Sequence, residues 1–216
     1  MNFAIIAQQL VSGMGSSLMI FVLTLLFSMP LGLLVAFGRM SKIKPLQAVI
    51  KVFIAILRGT PLMLQLLVVN FAPYYLFRIS LPRWYRFAAI IIGFSINYAA
   101  YFAEIYRSGI ESIHRGQYEA ASVLGYNKNQ TFFRIIFPQM VKRVLPPVTN
   151  EVITLVKDTS LAFVLAYEEM FTVAKQIASA RTSIMPLFVA GVFYFIFNAV
   201  VAFAMERIEK KLNYYH

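Results

Sequence analysis

Five stretches of this chain are each long and apolar enough to cross a bilayer as a helix, which takes about 20 mostly apolar residues. They run over residues 16–38 (SSLMIFVLTLLFSMPLGLLVAFG), 52–77, 87–106, 144–167 and 186–205. The pattern predicts an all-α polytopic membrane protein of about five transmembrane helices. Composition agrees: 60% of the residues are hydrophobic and 13% charged, whereas a soluble domain carries roughly 25% charged residues. The first run reads as a span and not as a cleaved signal, because no basic residue precedes it and it exceeds the usual apolar length of about 7–15 residues. The expected organisation is one domain, 1–216, with a polar loop at 112–138 inside it.

Lysine and arginine give the direction, since cytoplasmic loops hold them in excess. Of the 20 basic residues, thirteen follow the first run (Arg39 to Lys51), follow the third (Arg107 to Arg143) or sit in the tail (Arg207, Lys210, Lys211). Five lie on the other side, and Arg58 and Lys157 fall inside runs. The N-terminus is therefore expected outside and the C-terminus in the cytoplasm. The net charge of +11 has its source in this bias, so nucleic acid is not an expected partner; the lipid bilayer is. Tyr74, Tyr75, Trp84 and Tyr85 cluster where an outer interfacial aromatic belt belongs. There is no cysteine, and His114 and His216 lie far apart, so neither a metal site nor a catalytic centre is expected.

The longest cytoplasmic loop contains SIHRGQYEAASVLGY (112–126) and then TFFRIIFP (131–138). Ser112 is a candidate helix start, and Glu119, Ala120, Ala121 and Leu124 favour helix. Gly125 is a candidate stop in the left-handed conformation. A second helix is expected from Asn127 or Asn129, both capable N-caps, to Pro138. Ala120, Ala121, Leu124, Phe132, Phe133 and Ile136 are many apolar groups for a free loop. They pack either on the protein's own helix ends or in the groove of a partner.

The order of motifs here resembles that of ABC import permeases. Glu119-Ala120-Ala121, three residues, Gly125, nine residues and Ile135-Ile136-Phe137-Pro138 match their cytoplasmic EAA signature, with Phe137 where leucine is usual. RGTPLMLQL (58–66), AEIYRSGIESI (103–113) and KDTSLA (157–162) are similar to the polar amino-acid branch, and the resemblance runs from about residue 13 to 205. It implies the type I ABC importer transmembrane domain in a bacterial inner membrane. Such permeases work in pairs, here expected as a homodimer, with a dimer of cytoplasmic ATPase subunits and an extracytoplasmic substrate-binding protein. It also implies that 112–125 is a coupling helix, with Glu119, Ala120, Ala121 and Gly125, flanked by Tyr118 and Leu124, meeting the ATPase. The motor is a separate chain carrying ATP and magnesium: no lysine here is followed by Ser or Thr, so no G-x-x-x-x-G-K-[ST] phosphate loop exists. The chain itself is not expected to be an enzyme or to bind a cofactor.

Polar residues inside the runs are expensive in lipid and must face protein or water. Asn97, Tyr101, Glu104 and Ser108 share one helical face by their spacing. Asn150, Thr154 and Asp158 share another, and Thr60, Gln65 and Asn70 punctuate the second run. Hydroxyls and amides of this kind serve either as interhelical glue or as a substrate path. For Glu104 and Asp158 the path is the expectation, because intramembrane carboxylates are usually functional. The candidate pathway set is Glu104, Asp158, Asn97, Tyr101, Asn70, Thr60 and Thr154. Lys157 and Asp158 can pair with each other, or with Glu104 and Arg58. Arg58-Gly59-Thr60-Pro61 either breaks the helix beside the path or only kinks it for packing. The expected function is import of a polar amino acid, with the carboxylates leaning towards arginine, lysine or histidine. The alternative is an ion-gradient-driven secondary amino-acid transporter or channel, against which stands the lack of a visible inverted repeat.

Overall fold

The computed structural model describes residues 3–212; His216 lies outside the described residues. In chain order the helices are α1 Phe3–Arg39, α2 Lys44–Gly59, α3 Leu62–Phe77, α4 Tyr85–Glu111, α5 Arg115–Val123 and α6 Lys128–Thr131. A π-helical turn, Phe132–Ile136, leads into α7 Phe137–Asp158, which tightens to a 3-10 helix over Thr159–Leu165; α8 Met170–Arg181 and α9 Met185–Leu212 complete the chain. Among the described residues, three helices are long and apolar enough to cross a membrane: Ile5–Arg39, Tyr85–Glu111 and Met185–Leu212. The pair α2 and α3 makes a fourth crossing if its two arms count as one bent span.

Two of the expected spans take a different form. The run 52–77 does not continue as one rod: α2 and α3 meet at an angle of 111°. Pro61 has no N–H to continue the ladder, and it drives the residue before it out of the helical region. Thr60 is accordingly extended, at φ −120° and ψ 147°. The RGTP segment is thus a break. The run 144–167 is helical, but α7 is amphipathic and carries Lys142, Arg143, Glu151, Lys157 and Asp158. Its buried residues Met140, Val144, Val148 and Val152 recur every four positions, a single apolar stripe. The apolar residues of that stripe make the run look like a span in sequence, but its polar face keeps α7 out of the helices apolar enough to cross a membrane.

The longest packed seam joins α1 to α4. Ile20, Thr24, Ser28 and Ala36 are buried on α1, and Gly32 completes a row at four-residue spacing, which is one face of a helix. At Gly32 an added methyl would lie 2.7 Å from Phe102 Cβ and 3.1 Å from the Ala99 carbonyl. Small residues let the two backbones approach, the usual basis of helix association in lipid. The hydroxyls of Thr24 and Ser28 are buried without a hydrogen-bond partner, so what they contribute here is small volume. Phe94, Tyr98 and Phe102 of α4 then fill the main core with Leu155 and Val156 of α7. A second cluster joins Ile6 and Leu10 of α1 to Met170 and Ala174 of α8 and Val189 of α9.

At the head of α8 a fully buried carboxylate ties these helices together. Glu169 accepts hydrogen bonds from the backbone N–H of Phe171 (2.7 Å) and Thr172 (2.6 Å), and from the hydroxyls of Thr172 (2.8 Å), Tyr194 (3.0 Å) and Ser17 (3.4 Å). Gly13 lets α1 pass the Met170 backbone, where an added Cβ would lie 2.8 Å away.

The seam sets a test. Gly32→Ala forces the α1 and α4 backbones apart, at a cost of about 1–3 kcal/mol for overpacking. Gly15→Ala, on the same helix with nothing within 4 Å, leaves stability unchanged or raises it by about 0.5–1 kcal/mol. Thermal unfolding of the two purified variants in one detergent separates them; equal midpoints would sink the close-approach argument.

Candidate functional site

The first half of the site is the unit between α4 and α7. The helix start expected at Ser112 falls two residues later. His114 is the N-cap, its Nδ1 accepting from the Gly116 N–H at 3.2 Å. Ser112 instead closes α4: its hydroxyl donates to the Gly109 carbonyl at 2.7 Å, and its own carbonyl accepts from Arg143. The stop at Gly125 is as expected, with φ +76°. The Gly125 N–H donates to the Ser122 carbonyl and the Tyr126 N–H to the Ala121 carbonyl, both at 3.0 Å. That pair of bonds is a Schellman motif, which requires a left-handed residue at the position of Gly125. Asn127 caps α6 in a reciprocal capping box with Gln130, both bonds at 2.9 Å. The second helix does not end at Pro138. Pro138 occupies the second position of α7, where a missing N–H breaks no bond, and the π-helical turn before it carries the chain through.

Burial divides this unit cleanly. Ile113, Ala121, Thr131 and Ile136 are buried, so α5 is held from behind by its own protein. Tyr118, Glu119, Ala120 and Gly125 are exposed. Val123 is 87% exposed, Leu124 73% and Phe133 66%. Of the six residues expected to meet a partner, only Ala121 faces inward. Ala121 thus packs on the protein's own body, while the opposite edge of this short helix, at Val123 and Leu124, is left uncovered.

The second half is a cavity of ≈ 580 Å³ between α4, α7 and the end of α2. Arg58, Tyr101, Glu104, Ser108, Arg143 and Glu151 contribute its polar wall. The Arg58 guanidinium lies over the Tyr101 ring at 5.1 Å, within range for a cation–π contact. Glu104 is paired with Arg107 at 2.7 Å and with Arg39 at 3.7 Å. The ion pairs weighed from the sequence therefore take other partners. Asp158 accepts from the Tyr98 hydroxyl at 2.7 Å, and Lys157 is exposed.

The remaining pathway candidates disperse. Asn97 is buried and turns to the helix break, donating to the Leu57 carbonyl at 3.2 Å and to Gln65 Oε1 at 2.9 Å. Thr60 sits in the break, its hydroxyl donating to the Ile56 carbonyl at 2.8 Å. Asn70 borders a separate cavity of ≈ 320 Å³ with Tyr74 and Tyr85. Thr154 is half-buried on α7, one turn before Asp158. So Tyr101 and Glu104 share the cavity, and Asn97, Thr60 and Asn70 do not line it.

Sequence reasoning passed over Glu151, Arg143 and Glu169, and named Gln65 only among the polar residues of the second run. Glu151 had a signal: it lies seven residues before Asp158 and so on the same face of α7. Glu169 had none, because two of the groups it binds, Ser17 and Tyr194, belong to other helices. Among the described residues, no group of three or more His, Asp or Glu side chains is arranged to hold a metal ion.

Comparison with known proteins agrees with this architecture. Residues 28–214 match the family model described as binding-protein-dependent transport system inner membrane component. The chain is 36% identical over 196 residues to the L-cystine transport system permease protein TcyB of Bacillus subtilis, covering 90% of this chain and 82% of that protein. It is 34% identical over 211 residues to the glutamine transport system permease protein GlnP of Escherichia coli, covering 94% and 93%. In three dimensions it matches a chain of the crystal structure of an amino acid ABC transporter with histidines, at TM-score 0.87 and 29% identity over 98% of this chain and 99% of that one. With a family model covering most of its length and two relatives matched nearly end to end, this chain belongs to the binding-protein-dependent transport system inner membrane components, the permease subunits of ABC importers.

Proposed function

We propose that this chain is one permease of a paired, ATP-driven importer of polar amino acids, with α5 as the helix that couples it to a separate ATPase. The observation that carries the reading is the division of α5: a buried Ala121 edge beside a Val123–Leu124 edge left 87% and 73% exposed. Exposed apolar groups of that size on a loop fit a partner's groove. Glu119 beside them offers a charge for a basic group on the ATPase. The importer is a homodimer of this permease domain, 1–216, on two ATPases that carry ATP and magnesium. An extracytoplasmic binding protein delivers the substrate, and the excess of lysine and arginine in the adjoining loops supports a cytoplasmic side for α5 and the C-terminus.

In this reading ATP binding closes the ATPases and draws the two α5 helices together. Arg143 of α7 holds the Ser112 carbonyl at the α4–α5 junction, so movement of α5 reaches α4 and α7, the two walls of the ≈ 580 Å³ cavity. ATP acts through its differential affinity for the two conformations. The cavity offers Arg58 to a substrate carboxylate and Glu151 to its ammonium. With Glu151 facing the α-ammonium, two guanidiniums on Glu104 and Tyr98 on Asp158, no carboxylate of the cavity is left to favour a cationic side chain over another polar one.

Two outcomes test the coupling surface. Leu124→Asp leaves the permease folded, since the side chain is 73% exposed, but weakens its hold on the ATPase by about 2 kcal/mol or more, the scale of an interface hot spot. Co-purification with the cognate ATPase reads the loss, and unchanged retention of the ATPase removes α5 as the docking element. Gly125→Val places a β-branched residue at φ +76°, at a cost of roughly 1–2 kcal/mol. It shortens the transport obtained per ATP hydrolysed more than it lowers hydrolysis itself.

The importer is tested in proteoliposomes holding the permease, its ATPase and its binding protein. ATP hydrolysis is measured against a panel of amino acids, with wild type and Glu119→Lys, and uptake is followed with ATP or with an ion gradient alone. Stimulation by one amino-acid class that Glu119→Lys abolishes is the expected result. Uptake driven by the gradient without ATP would replace the importer with a secondary carrier.

A further inference from the structure

The break between α2 and α3 leaves carbonyls of the last turn of α2 without a helical donor, and two side-chain amides supply them. Gln65 Nε2 lies 2.9 Å from the Leu57 carbonyl, 2.8 Å from Thr60 Oγ1 and 3.1 Å from the Thr60 carbonyl. Asn97 Nδ2 donates to the same Leu57 carbonyl at 3.2 Å and to Gln65 Oε1 at 2.9 Å. Leu57, Gln65 and Asn97 thus form a closed ring across three helices. The residue after Leu57 is Arg58, whose guanidinium lies over Tyr101 at 5.1 Å. Tyr101 is one helical turn beyond Asn97, so α4 grips two consecutive residues of α2 with one face. The backbone of Leu57 is fixed from two sides, and the side chain that follows it is the only cation α2 contributes to the cavity wall.

We propose that Gln65, with Asn97, is a positioning residue that aims Arg58 at the carboxylate of an amino acid in the cavity. The inference rests on the amino-acid importer reading and deepens it. Gln65 makes no contact with the cavity; it acts by holding the break at one angle and Arg58 in one direction. A guanidinium held this way recognises a carboxylate better than one left to swing, because less freedom is lost when the ion pair forms.

The test is a double-mutant cycle on the complex of permease and cognate ATPase in nanodiscs, without binding protein. The probes are L-glutamine, L-cystine and L-arginine, followed by the α-carboxamide of whichever binds most tightly. Gln65→Met keeps the volume and removes the donors. It weakens binding of the amino acid roughly tenfold, within the range found for coupled neighbours, and leaves binding of the α-carboxamide unchanged. In an Arg58→Gln background, Gln65→Met has no further effect. Full additivity of the two substitutions, or equal losses for acid and amide, overturns the inference while the importer reading stands. No binding of any probe to the wild-type complex overturns the inference, and the proteoliposome uptake assay then decides the importer reading separately. If Gln65→Met fails to co-purify with the ATPase, Asn97→Ala carries the same cycle, since it removes one of the two donors to Leu57 and leaves Gln65 in place.

Discussion

A backbone carbonyl inside a bilayer has no water to turn to, so every interruption of a helix must be met by a donor from the protein. That constraint bears directly on the break between α2 and α3, and helix ends elsewhere in the chain are satisfied in related ways. Where Pro61 ends the α2 ladder, Gln65 and Asn97 bring amides to the open turn. In the loop before α7, a π-helical turn over Phe132–Ile136 precedes Pro138, which stands at the second position of α7, where no donor is required. Where the chain reverses before α8, Glu169 collects the first N–H groups of that helix. Each solution fixes an angle between helices, and those angles place the cavity.

The helix α4 works with two faces. One is zipped to α1 through small residues, with Gly32 set against Phe102. The other presents Tyr101, Glu104 and Ser108 to the cavity. A helix clamped on one side can line a changing space on the other without losing its register. The helix α7 is built on the same plan, with an apolar stripe towards α4 and Arg143 and Glu151 towards the cavity. Because Arg143 also reaches the Ser112 carbonyl, the cavity wall and the root of α5 are mechanically one piece.

What was legible in the sequence follows from how local each cause is. Gly125 could be read as a left-handed stop because the need for positive φ is a property of a few adjacent residues. Asn127 could be read as a cap for the same reason. Ala121 and Leu124 look alike in sequence, and only the packing of α5 on Thr131 and Ile136 decides which is hidden. Tyr101 and Asn97 lie on one face of α4, yet the break in α2 captures one and leaves the other in the cavity. The run 144–167 passed for a plain span because its apolar residues were counted without asking whether they form a stripe or a cylinder; its charged residues Glu151, Lys157 and Asp158 mark a stripe. Glu169 was invisible because two of its donors, Ser17 and Tyr194, lie 152 and 25 residues away.

Glu169, Glu104, Asp158 and Glu151, all buried or half-buried, are chemically unequal, and that inequality bears on which of them can take part in transport. Glu169 is enclosed by five donors on three helices, so moving it would strand each of them. Glu104 is neutralised by two guanidiniums at the end of α4 nearest α5, and any ligand there competes with Arg107 at 2.7 Å. Asp158 has one neutral donor, Tyr98, at 2.7 Å. Glu151 lines the cavity and, among the described residues, makes no hydrogen bond or ion pair. A carboxylate that already has its partners stabilises one conformation. One that lines a cavity with Arg58 across from it on another helix is free to exchange partners, which is what a path through a membrane needs of its charges.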